Sequence, residues 1–166
     1  MSGQAPFATG EARPVKGRVV YVPTYRVSLV RDGSTQTDTR YVRTPEESAR
    51  VLRACMDEDV DRESFSILML DVRNKVIGYH VVSVGCLTQS LVHPREVFTV
   101  AILAKACAVV LCHNHPSGDP TPSAEDVAVT RRLRTAGTLL GIEVVDHIVL
   151  GDGTGAWVSM AQRGLM

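Results

Sequence analysis

The stretch Val109-Val110-Leu111-Cys112-His113-Asn114-His115-Pro116-Ser117-Gly118-Asp119-Pro120-Thr121-Pro122-Ser123-Ala124-Glu125-Asp126 passes from strand to loop to helix. Val109 to Cys112 is a short apolar run of the kind that fills a buried strand. His113 to Pro122 holds three prolines and a glycine, which marks a loop. Ser123 is a good N-cap and opens a helix. His113 and His115 stand two apart on extended backbone, where residues i and i+2 share a side, so both imidazoles converge on one point. Such a pair is half of a zinc site. Asp126 follows in the first turn of the helix and offers an oxygen ligand. The prolines and Gly118 stiffen and turn the loop, so that the helix start returns over the histidines. Two histidines, one aspartate and a water make a tetrahedral site with an open position, the arrangement of a catalytic rather than a structural zinc.

Taken singly, each piece is ordinary. One histidine is usually a polar surface or core residue, and Ser123-x-x-Asp126 is a common helix cap with an acid at the positive end of the dipole. The two roles are compatible, because a cap is one way to hold a ligand rigidly.

Outward from this stretch, helices alternate with strands. Val19 to Val30 (VVYVPTYRVSLV) is β-branched and aromatic and reads as a strand, with Pro23 confining it to an edge. Asp32 to Asp38 reads as a hairpin tip. Thr44-Pro45-Glu46-Glu47 starts a helix that runs to about Met56, with a Thr cap, Pro at the first helical position and Glu three on from the cap. Phe65 to Leu70 and Val76 to Val84 are strands joined by the turn Asp71 to Lys75. Pro94 opens a helix to about Ala106, the helix from Ser123 ends between Gly137 and Gly141, and Ile142 to Leu150 and Ala156 to Met160 are strands around a turn at Gly151 to Gly153. The alternation predicts a layered α/β sandwich with a mixed sheet. Residues 1–16 read as a mobile tail and 17–166 as a single domain.

The chain has 166 residues, enough to bury roughly 70% of its unfolded surface without disulfides or an obligate partner. Lys+Arg and Asp+Glu are 18 each, for a net charge of +0, which argues against a strong sequence-independent nucleic-acid binder. Nucleic acid is therefore the partner without support from charge, despite Arg131, Arg132 and Arg134 on one helix. No apolar run reaches the ~20 residues a membrane span needs, and the first residues, MSGQAPFATGEARP, do not read as a signal peptide. Cys55, Cys86, Cys107 and Cys112 form no CxxC pair and read as free thiols of a cytoplasmic protein. The Val19–Val30 edge is the feature that a homodimer or another partner would use.

A bound water also needs a base. Glu63, just ahead of the strand Phe65 to Leu70, is one candidate, although Arg62-Glu63 also reads as a solvated charge pair. Glu96, at the start of the helix from Pro94, is the other, although an acid there also serves the helix dipole.

Glu63, the His113-x-His115 pair, seven intervening residues, Ser123, two more and Asp126 resemble the JAMM/MPN metalloprotease signature. HNHPSGDPTPSAED, with VHPREVF (Val92 to Phe98) before it and DHIVLGDG (Asp146 to Gly153) after it, resembles the RadC family in particular. The resemblance runs from about Arg62 to Ser159 and implies a three-layer α/β/α fold of the cytidine-deaminase-like type. It implies Zn2+ held by His113, His115 and Asp126, Glu63 as general acid/base in preference to Glu96, and Ser123 as the group that steadies the tetrahedral intermediate. Longer RadC proteins carry an N-terminal helix-hairpin-helix region, which these 166 residues are not expected to contain, and this leaves the family's DNA-repair name without a DNA-contacting module here.

The activity so implied is zinc-dependent hydrolysis of an amide, in a peptide or isopeptide bond of an unidentified protein substrate. The competing expectation is a DNA-associated or non-catalytic module on the same scaffold. A zinc deaminase would need a P-C-x-x-C pair beside H-x-E, and the sequence has neither. Asn114 points away from the two histidines and is expected to hold the loop. His147 is expected to be a satisfied strand-end histidine or a partner to a ligand.

Overall fold

The cues at Thr44 act as their chemistry dictates. Helix α1 (Pro45–Cys55) begins where the Thr44 hydroxyl accepts from the Glu47 N–H at 3.2 Å, and the Glu47 carboxylate accepts in return from the Thr44 N–H at 3.3 Å. This reciprocal cap satisfies two backbone donors that have no partner inside the helix. The structure is a computed structural model and describes residues 21–56, 62–85 and 92–166.

Strand β1 (Ser64–Leu70) is buried along its whole length. A tight turn leads from it to β2 (Val76–Val84): the Asp71 carboxylate accepts from the N–H groups of Arg73 and Lys75, and Asn74 takes a left-handed φ of 58°. Helix α2 (Pro94–Leu103), β3 (Ala108–His115), α3 (Ala124–Leu140), β4 (Glu143–Gly151) and β5 (Trp157–Ser159) follow. The sheet order is β2-β1-β3-β4-β5. β1 is antiparallel to both β2 and β3, β3 and β4 are parallel, and β5 is antiparallel to β4. The one parallel pair is spanned by α3, as a crossover between parallel strands requires.

Alternation along the strands divides the core between two faces. Ile67, Met69, Val109, Leu111 and Val144 pack with Val97, Phe98 and Ala101 of α2 and with Val129 and Leu133 of α3. On the other face Leu68, Leu70, Val110, Cys112, Ile148 and Leu150 pack with Ala49, Val51 and Leu52 of α1. The protein is therefore a three-layer α/β/α sandwich with a mixed sheet. Each fully buried Leu or Phe contributes roughly 1.5–3 kcal/mol relative to exposure. Gly137 lets α3 approach the sheet, because a Cβ there would collide with the Ile142 carbonyl.

Several expectations shift. Residues 21–30 form no strand, and Tyr21, Val22, Tyr25, Val27 and Val30 are exposed, whereas the rest of Val19–Val30 and the tail 1–16 lie outside the described residues. β-branched composition favours a pleated surface only when a neighbouring strand supplies one. In its place, the chain reaches the sheet edge through a single bridge, Tyr41 to Lys75. Without flanking strands, Asp32 to Asp38 is not a hairpin tip. Strand β3 runs on through His113 to His115, three residues into the expected loop, because its pairing with β1 reaches His113 and its pairing with β4 reaches His115. Helix α2 ends at Leu103 and Lys105 takes a left-handed φ of 56°. Cys55, Cys107 and Cys112 are free thiols, with burial pushing Cys112 well above the ordinary thiol range, and Cys86 lies outside the described residues. Among the described residues, no helix is long and apolar enough to cross a membrane.

Candidate metal centre

The alternation that sends Val109 and Leu111 toward α3 sends His113 and His115 the same way and turns Asn114 toward α1. His113 is fully buried and stacks on Phe65, with ring centroids 6.5 Å apart. His115 is half-buried at the rim. Beyond it the chain turns at Gly118, whose φ is +81°, and passes so close to the end of β4 that a Cβ on Gly151 would collide with the Gly118 carbonyl. The His115 carbonyl accepts from the N–H groups of Gly118 and Asp152 at 3.0 and 3.1 Å, which pins the loop to the sheet.

The loop delivers Ser123 as the cap of α3. Its hydroxyl accepts from the Asp126 N–H at 3.1 Å, and Asp126 Oδ2 accepts from both the Ser123 N–H and the Ser123 hydroxyl at 2.7 Å. With Oδ2 so engaged, Oδ1 turns to His113 Nε2 at 3.3 Å, and His115 Nε2 lies 3.8 Å from Oδ2. The two Nε2 atoms are 3.0 Å apart. One donor atom from each of His113, His115 and Asp126 lies within 4.8 Å of the others. Burial works to raise the Asp126 carboxyl, but the neighbouring His113 ring and the Ser123 donors outweigh it and hold the group well below the usual carboxylate range.

The donor chemistry fits a zinc-like ion. His115 Nδ1 sits 2.7 Å from the Asp119 carbonyl, which can only accept, so the ring proton is on Nδ1 and Nε2 offers a lone pair to the centre. A carboxylate and imidazole nitrogens gathered at one point form a borderline-soft set that suits a divalent transition ion. His113, His115 and Asp126 are the residues that would hold it.

An open cleft of about 390 Å³ leads to these groups, lined by Glu63, His115, Pro116, Ser117, Ser123, Glu125 and Asp126. Glu63 thus shares the cleft with two of the three donors. Glu96 is not part of that lining and pairs instead with Arg95 at 3.1 Å in the first turn of α2. Of the three arginines on α3, Arg132 is already committed, donating to the Val92 carbonyl at 2.6 Å.

Asn114 does more than hold the loop. Its Oδ1 accepts from the Ser64 N–H at 2.7 Å and the Ser64 hydroxyl at 2.9 Å, and its Nδ2 donates to the Arg62 carbonyl at 3.1 Å and Asp152 Oδ2 at 2.6 Å. Two acceptor and two donor positions are all used. Arg62 and Ser64 flank Glu63, so the residue between the histidines ties the Glu63 backbone to the strand that carries them. Asn114→Ala leaves buried polar groups unsatisfied, at about 1–3 kcal/mol. Urea unfolding of the metal-free variant should show that loss, and an unchanged midpoint would contradict the tie.

His147 on β4 is buried, and burial keeps it well below the ordinary histidine range and so neutral. It touches His113 and also Thr130 of α3. The sequence reading passed over Thr130, although its place one helical turn after Asp126 on the same face was a usable signal.

The family model described as the RadC-like JAB domain matches residues 42–165. A UPF0758 protein of Caldanaerobacter subterraneus is 48% identical over 133 residues, covering 79% of this chain and 55% of that relative. UPF0758 proteins of Pelobacter propionicus and Symbiobacterium thermophilum are 54% and 56% identical over 108 and 104 residues, covering 65% and 63% of this chain and 46% and 44% of theirs. The chain spans about half the length of the curated relatives it matches. With the family model matched over residues 42–165, most of the chain, on a three-layer sandwich that ends its parallel pair in a His/His/Asp cluster, the chain belongs to the RadC-like JAB domain family.

Proposed function

We propose that this protein is a zinc-dependent hydrolase of peptide or isopeptide bonds. The observation that carries the reading is the convergence of His113, His115 and Asp126 at a cleft that also takes in Glu63 and Ser123. Zinc held there by His113, His115 and Asp126 would supply a Lewis acid and would lower the pKa of a water beside it to about 7.

The remaining work falls to the chain. Glu63, on the cleft wall, takes the proton from the attacking water and returns it to the departing amine. Ser123 spends its hydroxyl proton on Asp126 Oδ2 at rest. As charge develops on the carbonyl oxygen of the substrate, that proton turns to it, and the Ser123 N–H alone keeps Oδ2 in place. One such donor is typically worth about 3 kcal/mol in the transition state. The cleft is open, which suits an extended chain or a side-chain-linked branch better than a small enclosed ligand.

The test uses zinc-loaded protein against a panel of linear peptides and of peptides branched through a lysine side-chain amide, with products read by mass spectrometry. Cleavage that stops with a chelator and returns with zinc is the expected result. A fully zinc-loaded protein that cleaves no member of either set contradicts the hydrolase reading and favours a non-catalytic module.

A further inference from the structure

One buried hydroxyl beside the donor cluster, that of Thr130, takes no part in the proposed mechanism. Thr130 Oγ1 is fully buried and stands 2.6 Å from the carbonyl oxygen of Asp126 and 2.6 Å from His147 Nδ1. His147 Nε2 is in turn 2.8 Å from His113 Nδ1. The line of contacts begins on the backbone of one donor residue, Asp126 in α3, crosses β4, and ends on the ring of another, His113 in β3.

With both imidazoles neutral, as a metal-ligating histidine must be, every proton along this line is assigned. A carbonyl oxygen only accepts, so the single hydroxyl proton of Thr130 goes to Asp126. This back-bond to the carbonyl one turn earlier is a common use of a helical threonine. The Thr130 oxygen then accepts from His147, which must carry its proton on Nδ1. A neutral imidazole protonated at Nδ1 presents Nε2 as an acceptor. His113 Nδ1 must therefore donate, and His113 Nε2 is left as a bare lone pair, 3.0 Å from His115 Nε2 and 3.3 Å from Asp126 Oδ1. The reverse assignment, with Thr130 donating to His147, drives a proton onto His113 Nε2, into the centre of the donor set, where it would keep an ion out.

We propose that Thr130 and His147 form a relay that fixes the tautomer of His113 with its Nε2 lone pair toward the metal, and that closes on Asp126 so that donors from two elements are set together. Both are positioning residues. His115 reaches the same state by the simpler route of one backbone carbonyl, that of Asp119. The inference rests on the metal reading of the site, but not on hydrolysis.

Two measurements test it. Zinc affinity is measured by competition with a chromophoric chelator in the wild type, in Thr130→Val, which keeps the branched shape and removes only the hydroxyl, and in Thr130→Ser, which restores it. Thr130→Val should bind zinc about 10–100-fold more weakly, the usual cost of losing a partner behind a ligand, and Thr130→Ser should bind like the wild type. Wild-type affinity in Thr130→Val overturns the relay, as does a serine variant no better than the valine one. The second measurement is independent of how the variants fold: nitrogen NMR of the zinc-loaded wild type should show His147 protonated at Nδ1, and protonation at Nε2 overturns the proposal. Should the wild type take up no zinc, the metal reading fails, and the same spectrum of the metal-free protein still decides the tautomer of His147.

Discussion

Asp126→Ala and His115→Ala should bind zinc far more weakly than the unsubstituted chain. Each removes one of three protein donors, so the fall in affinity should exceed the 10–100-fold that accompanies loss of an outer partner. The two reach that result differently. His115 is half-buried at the rim, and its truncation gives up an exposed hydrogen bond from Nδ1 to the Asp119 carbonyl rather than core packing. Asp126 also completes the cap of α3, and its removal costs about 1 kcal/mol of helix stability beside the metal. Asp126→Asn separates the two effects, because an amide oxygen still accepts from the Ser123 N–H but carries no charge to the ion. Chelator competition on all three variants, with unfolding curves of the metal-free forms, reads the contributions separately. Full zinc occupancy in Asp126→Ala would remove Asp126 from the centre.

Glu63→Gln should match the zinc affinity of the unsubstituted chain and, on the proposed mechanism, lower turnover by about 10²–10⁴-fold, the usual range for a positioned general acid/base. The substitution preserves size and hydrogen-bonding reach and removes only the ability to hold a proton between water and amine. Glu63 is not among the three converging donors, so the metal should stay. Substrate binding should also hold, which confines the effect to kcat. Glu96→Gln, on a residue outside the cleft lining, should leave turnover unchanged. Loss of metal in Glu63→Gln, or full activity, contradicts the role given to Glu63.

Much of the centre was legible because it depends on local periodicities. The two-residue repeat of a strand put His113 and His115 on one side, and the cap chemistry of Ser123 placed Asp126 at a helix start, whatever the rest of the chain does. The links behind the donors were not legible, because they depend on register. Asn114 reaches Ser64 only because β1 and β3 pair antiparallel with Phe65 opposite His113, and His147 reaches His113 only through the parallel pairing of β3 and β4. A sequence does not display which residues of two strands stand abreast. Val19 to Val30 shows the converse limit: its composition suits a strand, but residues 21–30 pair with no strand among the described residues. The three layers followed from alternating helices and strands, whereas the split of α1 from α2 and α3 between the faces became visible only with the sheet order.

The central claim is tested most directly by the metal content of the purified wild-type protein, measured by elemental mass spectrometry with no zinc added and no metal-binding tag. The account predicts about one zinc per chain, removed by a chelator and absent from His115→Ala. A wild-type protein that carries no transition metal, and takes up none when zinc is supplied, would contradict it.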